Sequence, residues 1–138
     1  LDVTIQAQVL NLINNLRKEF KASIMFITHD LGVIAHMADD VVIMYLGRIV
    51  ESAAVRDVFR NPYHPYTQGL MDSIPSLTSR RDQPLVPIKG IVPDLLQQIK
   101  GCGFSSRCPQ VMDICKEKAP DLFELSPGHH VACWLSQK

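Results

Sequence analysis

Residues 23–51, SIMFITHDLGVIAHMADDVVIMYLGRIVE, constrain this chain more than any other part of it. They open on an apolar, β-branched run, Ile24-Met25-Phe26-Ile27-Thr28, which has the pattern of a buried strand. The run stops at His29-Asp30, and Asp30 has the chemistry of a helix N-cap. Leu31, Val33, Ile34 and Met37 then recur at helical spacing. A second apolar strand is expected from Val41 to Tyr45. Leu46-Gly47 turns the chain, and Arg48-Ile49-Val50-Glu51 returns beside it. Strand, helix and strand together predict a parallel crossover with a hairpin at its edge, and so an α/β fold. Ligands of such sheets sit beyond the carboxyl ends of the strands. His29 stands at that position, as a candidate ligand contact or as a plain strand terminator.

The flanking segments are simpler. Asp2 is placed to cap a helix over 3–20. Ile5, Val9, Leu12, Ile13, Leu16 and Phe20 share one face of it, read as core. Helices are expected again from Ala53 to Arg60 and from Pro65 to about Ile74, since proline suits a first helical turn. Residues 76–100 are punctuated by proline and read as a linker, with a short edge strand over Leu85-Val86-Pro87-Ile88. The domain reading is therefore 1–75, a linker at 76–100, and a cysteine-rich segment at 101–138.

Charge limits the classes of partner. Basic and acidic residues balance at 14 each, so no basic excess points to nucleic acid. No apolar run reaches the roughly 18 residues of a membrane span. The first stretch is amphipathic and does not read as a secretory signal. A cytoplasmic location follows as the expectation, where cysteines are free or metal-bound more often than paired.

All the cysteines lie in the last third of the chain: Cys102, Cys108, Cys115 and Cys133, spaced C-x5-C-x6-C-x17-C. Four thiolates can close a tetrahedral zinc site or hold the corners of a [4Fe–4S] cluster. The tight knuckles that zinc prefers are absent, and the wider spacing suits a cluster better. Pro109 after Cys108 is also usual beside cluster cysteines. Buried free thiols are the plain alternative. His129 and His130 are read as turn residues, and Trp134 as core.

Several ordered phrases resemble a known family. Ile27-Thr28-His29-Asp30-Leu31, Ala38-Asp39-Asp40-Val41 and Met44-Tyr45-Leu46-Gly47-Arg48-Ile49-Val50-Glu51 resemble the switch-histidine region of ABC transporter ATPases. Leu1-Asp2-Val3-Thr4 resembles the second half of that family's D-loop. Asn61-Pro62-x-His64-Pro65-Tyr66-Thr67 and the cysteine segment are similar to the ATP-binding subunits of oligopeptide, dipeptide and nickel importers. The resemblance implies the C-terminal fragment of a P-loop NTPase domain followed by a small Pro/Cys-rich extension. It implies a γ-phosphate contact for His29 and a role for Asp2 across an ATP-bound dimer. It also implies a [4Fe–4S] cluster on Cys102, Cys108, Cys115 and Cys133, with zinc as the alternative.

ATP and Mg2+ would be cofactors of the parent protein only. The implied partners are a second ATP-binding subunit and transmembrane permease subunits, at the inner face of the cell membrane. No Gly-x-x-x-x-Gly-Lys-Ser/Thr phosphate loop and no Leu-Ser-Gly-Gly-Gln signature occur in these 138 residues. The chain is therefore expected to be a fragment that is inactive alone and self-associates through an unpaired strand edge. Two rival classes are a stand-alone metal-binding module and a regulatory or interaction domain.

Overall fold

A computed structural model describes residues 2–74, 87–94 and 99–137. The chain divides into two compact units, Leu1–Asp39 and Asp40–Lys138.

The first unit is built from helix α1, Val3–Phe20, and helix α2, Leu31–Met37. Asp2 caps α1 by accepting the Thr4 N–H at 2.8 Å. Lys21 ends it in the left-handed conformation, with its N–H on the Arg17 carbonyl. Between the helices the expected strand over 23–28 does not form. A strand exists only through ladder hydrogen bonds, and no described segment pairs with this one. Met25 and Ile27 are 85% and 91% exposed. The parallel crossover is therefore absent as well. The apolar face of α1, read as core, lies largely open: Ile5, Val9, Leu12, Leu16 and Phe20 are exposed. The helical periodicity was legible, but nothing described in this unit covers the face.

The second unit is organised on a four-stranded antiparallel sheet in the order β1-β2-β4-β3. Strands β1, Asp40–Tyr45, and β2, Arg48–Ala54, form the expected hairpin. Leu46 and Gly47 both take positive φ, 46° and 75°, as a two-residue primed turn requires. In β1 the inward residues Val41, Ile43 and Tyr45 alternate with exposed ones. In β2 a register shift opposite Ile43 and Met44 breaks the alternation, and Val50 and Glu51 are buried side by side. Helix α3 spans Val55–Arg60, since Ala53 and Ala54 belong to β2 rather than to the helix. Helix α4, Pro65–Asp72, starts with proline in its first turn, as expected.

The remaining strands come from the cysteine-rich segment: β3, Phe123–Ser126, and β4, His129–Val131. Strand β4 pairs with β2 through Glu51↔Val131 and Ser52↔His130. The Ala132 N–H adds a bond to the Val50 carbonyl at 2.9 Å. The segment is thus woven into the hairpin's sheet, and His129 and His130 are strand residues rather than turn residues. Of the expected edge strand, residues 85 and 86 lie outside the described residues, and Pro87 and Ile88 have no regular structure. Most of the 76–100 linker likewise lies outside them.

Phe104, 2% exposed, anchors the core between the rings of Tyr45, Tyr66 and His64, at centroid distances of 5.3, 5.4 and 5.8 Å. Arg107 ties the neighbouring chain to this cluster. Its guanidinium donates to the carbonyls of Ile88 and Lys89 and to the Tyr45 hydroxyl.

Candidate functional site

The two sets of residues singled out in the sequence fall in different units. In the first, Asp30 is the N-cap of α2. Its Oδ1 accepts the N–H groups of Gly32 and Val33 at 2.9 and 3.1 Å, and its Oδ2 accepts from Gln6 Nε2 at 3.2 Å. Its own N–H donates to Thr28 Oγ1. The Val33 N–H, then Gln6, hold the Asp30 carboxyl below its ordinary value of 3.8. His29 is exposed immediately before this cap. Its ring makes no hydrogen bond among the described residues, so it is free to meet a group arriving from outside. Asp2 serves α1 as a cap.

In the second unit Cys102, Cys108, Cys115 and Cys133 line one cavity, together with His64, Pro65, Phe104 and Trp134. Local structure explains how. The Cys102 N–H donates to the Cys115 carbonyl at 2.7 Å. Gly101 allows that contact: a Cβ there would run into the Cys115 carbonyl and stand 2.7 Å from the Lys116 backbone. A single 3-10 turn, Ser105–Arg107, swings the chain from Cys102 to Cys108. Cys115 lies in α5, Asp113–Glu117, and Cys133 is the second residue after β4. Trp134 Nε1 donates to the Lys118 carbonyl.

All four cysteines are free thiols. Burial pushes the Cys102, Cys108 and Cys133 thiols above their ordinary value, and the neighbouring cysteines add to the shift in each. A metal that took them as thiolates would displace protons. The donor set suits a group that takes four thiolates. No three of the described His, Cys, Asp or Glu side chains are gathered closely enough to hold a single ion. The cavity is small, about 10 Å³.

Sequence reasoning missed the residues behind this cavity. Glu51 is 0% exposed, and its carboxylate accepts three hydrogen bonds: Tyr63 N–H at 2.8 Å, His64 N–H at 2.9 Å and His129 Nε2–H at 2.7 Å. His64, 1% exposed, caps α4 by accepting the Tyr66 N–H on Nδ1 at 3.0 Å. Burial lowers its pKa to about 4, against the opposing pull of Glu51. Glu51 and His64 stood in the family phrases, but the further signal of a buried role was a glutamate inside an otherwise small and apolar strand, IVESAAV.

Residues 50–115 match the family model of the oligopeptide/dipeptide transporter C-terminal region. The whole chain is 50% identical to a Sinorhizobium fredii protein named "Probable peptide ABC transporter ATP-binding protein y4tR", and covers 41% of it. Over 98% of the chain it is 48% identical to the oligopeptide transport ATP-binding protein OppD of Bacillus subtilis, covering 38% of that protein. The same identity and coverages hold for the dipeptide transport ATP-binding protein DppD of Lactococcus lactis. The chain thus spans about two fifths of the length of these relatives. No helix among the described residues is long and apolar enough to cross a membrane.

Proposed function

We propose that the chain forms part of a subunit that hydrolyses ATP to power peptide import, from the match of residues 50–115 to the oligopeptide/dipeptide transporter C-terminal region and the similarity of the whole chain to ATP-binding proteins of peptide ABC transporters. The observation that carries this reading is the 50% identity along the full chain. The exposed His29, set between Thr28 and the Asp30 cap, supports it.

In this reading His29 contacts the γ-phosphate of ATP, and Asp2 helps align the opposite site of a dimer. Phosphoryl transfer depends on positioning and charge stabilisation. The phosphate loop, the Mg2+ ligands and the catalytic base are not among these 138 residues. The chain alone therefore turns over no ATP. The partners of the whole protein are a second ATP-binding subunit and transmembrane permease subunits, which hold it at the cytoplasmic face of the membrane. Residues 1–75 belong to the nucleotide-binding domain, and 101–138 form its Pro/Cys-rich extension.

Cys102, Cys108, Cys115 and Cys133 hold a [4Fe–4S] cluster, with one zinc ion as the alternative. When bound, the cluster supplies cross-links that a segment this small cannot replace by apolar burial. Two experiments test the reading. In the full-length subunit carrying this sequence, His29→Ala should abolish ATP turnover while nucleotide binding persists; undiminished turnover would overturn the assignment of His29. Anaerobically purified chain should be brown, with iron near four per chain. One zinc per chain would favour the alternative, and metal-free chain would remove the metal from the proposal.

A further inference from the structure

We propose that His64 is a positioning residue of the four-thiol site, with its Nε2–H serving as the hydrogen-bond donor to sulfur in that cavity. This rests on the reading of the four cysteines as ligands of a metal group. Its core is geometric.

The His64 ring lines the cavity and is 1% exposed. Both of its other polar attachments are committed. Its backbone N–H donates to Glu51 Oε2, and Nδ1 accepts the Tyr66 N–H. An Nδ1 that accepts carries no proton, so the proton of the neutral ring is on Nε2. Among the described residues no oxygen, nitrogen or sulfur of the protein receives that proton. Much of the surrounding wall is apolar: Pro65, Phe104, Pro120, Trp134 and Leu135. Trp134, the one indole there, already donates elsewhere. A buried N–H seeks an acceptor, and a negatively charged sulfur in a poorly solvated pocket is a strong one.

The ring is also held rigidly. Glu51 fixes its backbone, Pro65 limits the next residue, and Phe104 packs at 5.8 Å with its plane tilted by 56°. Donors to sulfur stabilise the more negative, reduced state of an iron–sulfur group, and so raise its potential.

Two variants separate the roles of this side chain. His64→Asn keeps a good cap for α4 but does not reach the cavity. His64→Gln weakens the cap but carries an amide N–H about as far as Nε2. After anaerobic reconstitution with iron and sulfide, both should take up wild-type iron. The potential of H64N should move to a more negative value, and that of H64Q should return toward wild type. A wild-type potential in H64N, or an equal shift in both variants, overturns the proposal.

Should the wild-type chain take up no iron, the metal reading fails separately. The same variants are then compared by the alkylation rate of the free thiols at fixed pH. Slower alkylation in H64N, restored in H64Q, supports the donor role. Equal rates in all three overturn it.

Discussion

His129 Nε2–H donates to Glu51 Oε1 at 2.7 Å across 78 residues of sequence, and both side chains are shielded from solvent. An ionised carboxylate can only accept, so the bond fixes the proton of His129 on Nε2. The other lone pairs of Glu51 take the N–H groups of Tyr63 and His64. One carboxylate thereby joins β2, the start of α4 and β4. The cavity shares two of these attachments: His64 forms part of its wall, and β4 leads through Ala132 to Cys133.

Removing that carboxylate should be costly. Glu51→Ala leaves two buried donors and one part-buried donor without their acceptor, and breaking a buried pair of this kind costs about 3–5 kcal/mol. Urea unfolding of the chain should show the loss as a lower midpoint with a similar slope. Glu51→Gln should fall between, because one amide nitrogen must then face a donor. A midpoint within error of wild type for Glu51→Ala would show that the network contributes nothing.

Gly101 should lose far more stability than Gly69 on substitution by alanine. At Gly101 a Cβ meets the backbone of Cys115 and Lys116, which cannot move without breaking the Cys102–Cys115 bond. Overpacking there should cost about 3 kcal/mol and disturb the thiol cavity. At Gly69 the atoms nearest the Cβ belong to the Ile88 side chain, with Cγ1 at 2.8 Å, so a side chain rather than backbone must shift. The helix gains up to about 1 kcal/mol from alanine, which offsets that displacement. Denaturation midpoints and susceptibility to limited proteolysis near 101–116 distinguish the two.

The Asp30 cap should give the first unit a pH dependence. Its carboxyl titrates below 3.8 in the folded chain, mainly through the Val33 N–H. The unfolded chain binds this proton first as pH falls, so the cap's contribution is complete above that value. It is lost as pH drops through the folded titration. Carboxyl chemical shifts should show Asp30 titrating below the ordinary aspartate value, and amide exchange in Leu31–Met37 should quicken over the same interval. Asp30→Asn, still a good cap, should remove the pH dependence and keep the helix.

The exposed apolar residues of α1 and of the 23–28 stretch should drive association of the chain. Sedimentation should show a mass that rises with concentration. Met25→Lys with Ile27→Lys should reduce it. A monomeric mass throughout would refute this expectation.

Local chemistry was written plainly in the sequence. The caps at Asp2 and Asp30, the helix over 3–20, the Leu46-Gly47 turn and Pro65 at a helix start depend on neighbours a few residues away. Hydrophobic pattern and turn chemistry report those directly. The 23–28 strand was misread because an apolar run gives the propensity for a strand but not a partner for its backbone.

The amino-acid sequence by itself determined the helices, the hairpin, the four cysteines and the phrases that mark the family. Only the tertiary structure decided that β4 lies beside β2, that Glu51 is buried against His129, and that His64 walls the thiol cavity. Those choices join residues tens of positions apart. They are set by which buried donors and acceptors can satisfy one another once the sheet closes, and no local pattern of residues encodes that match.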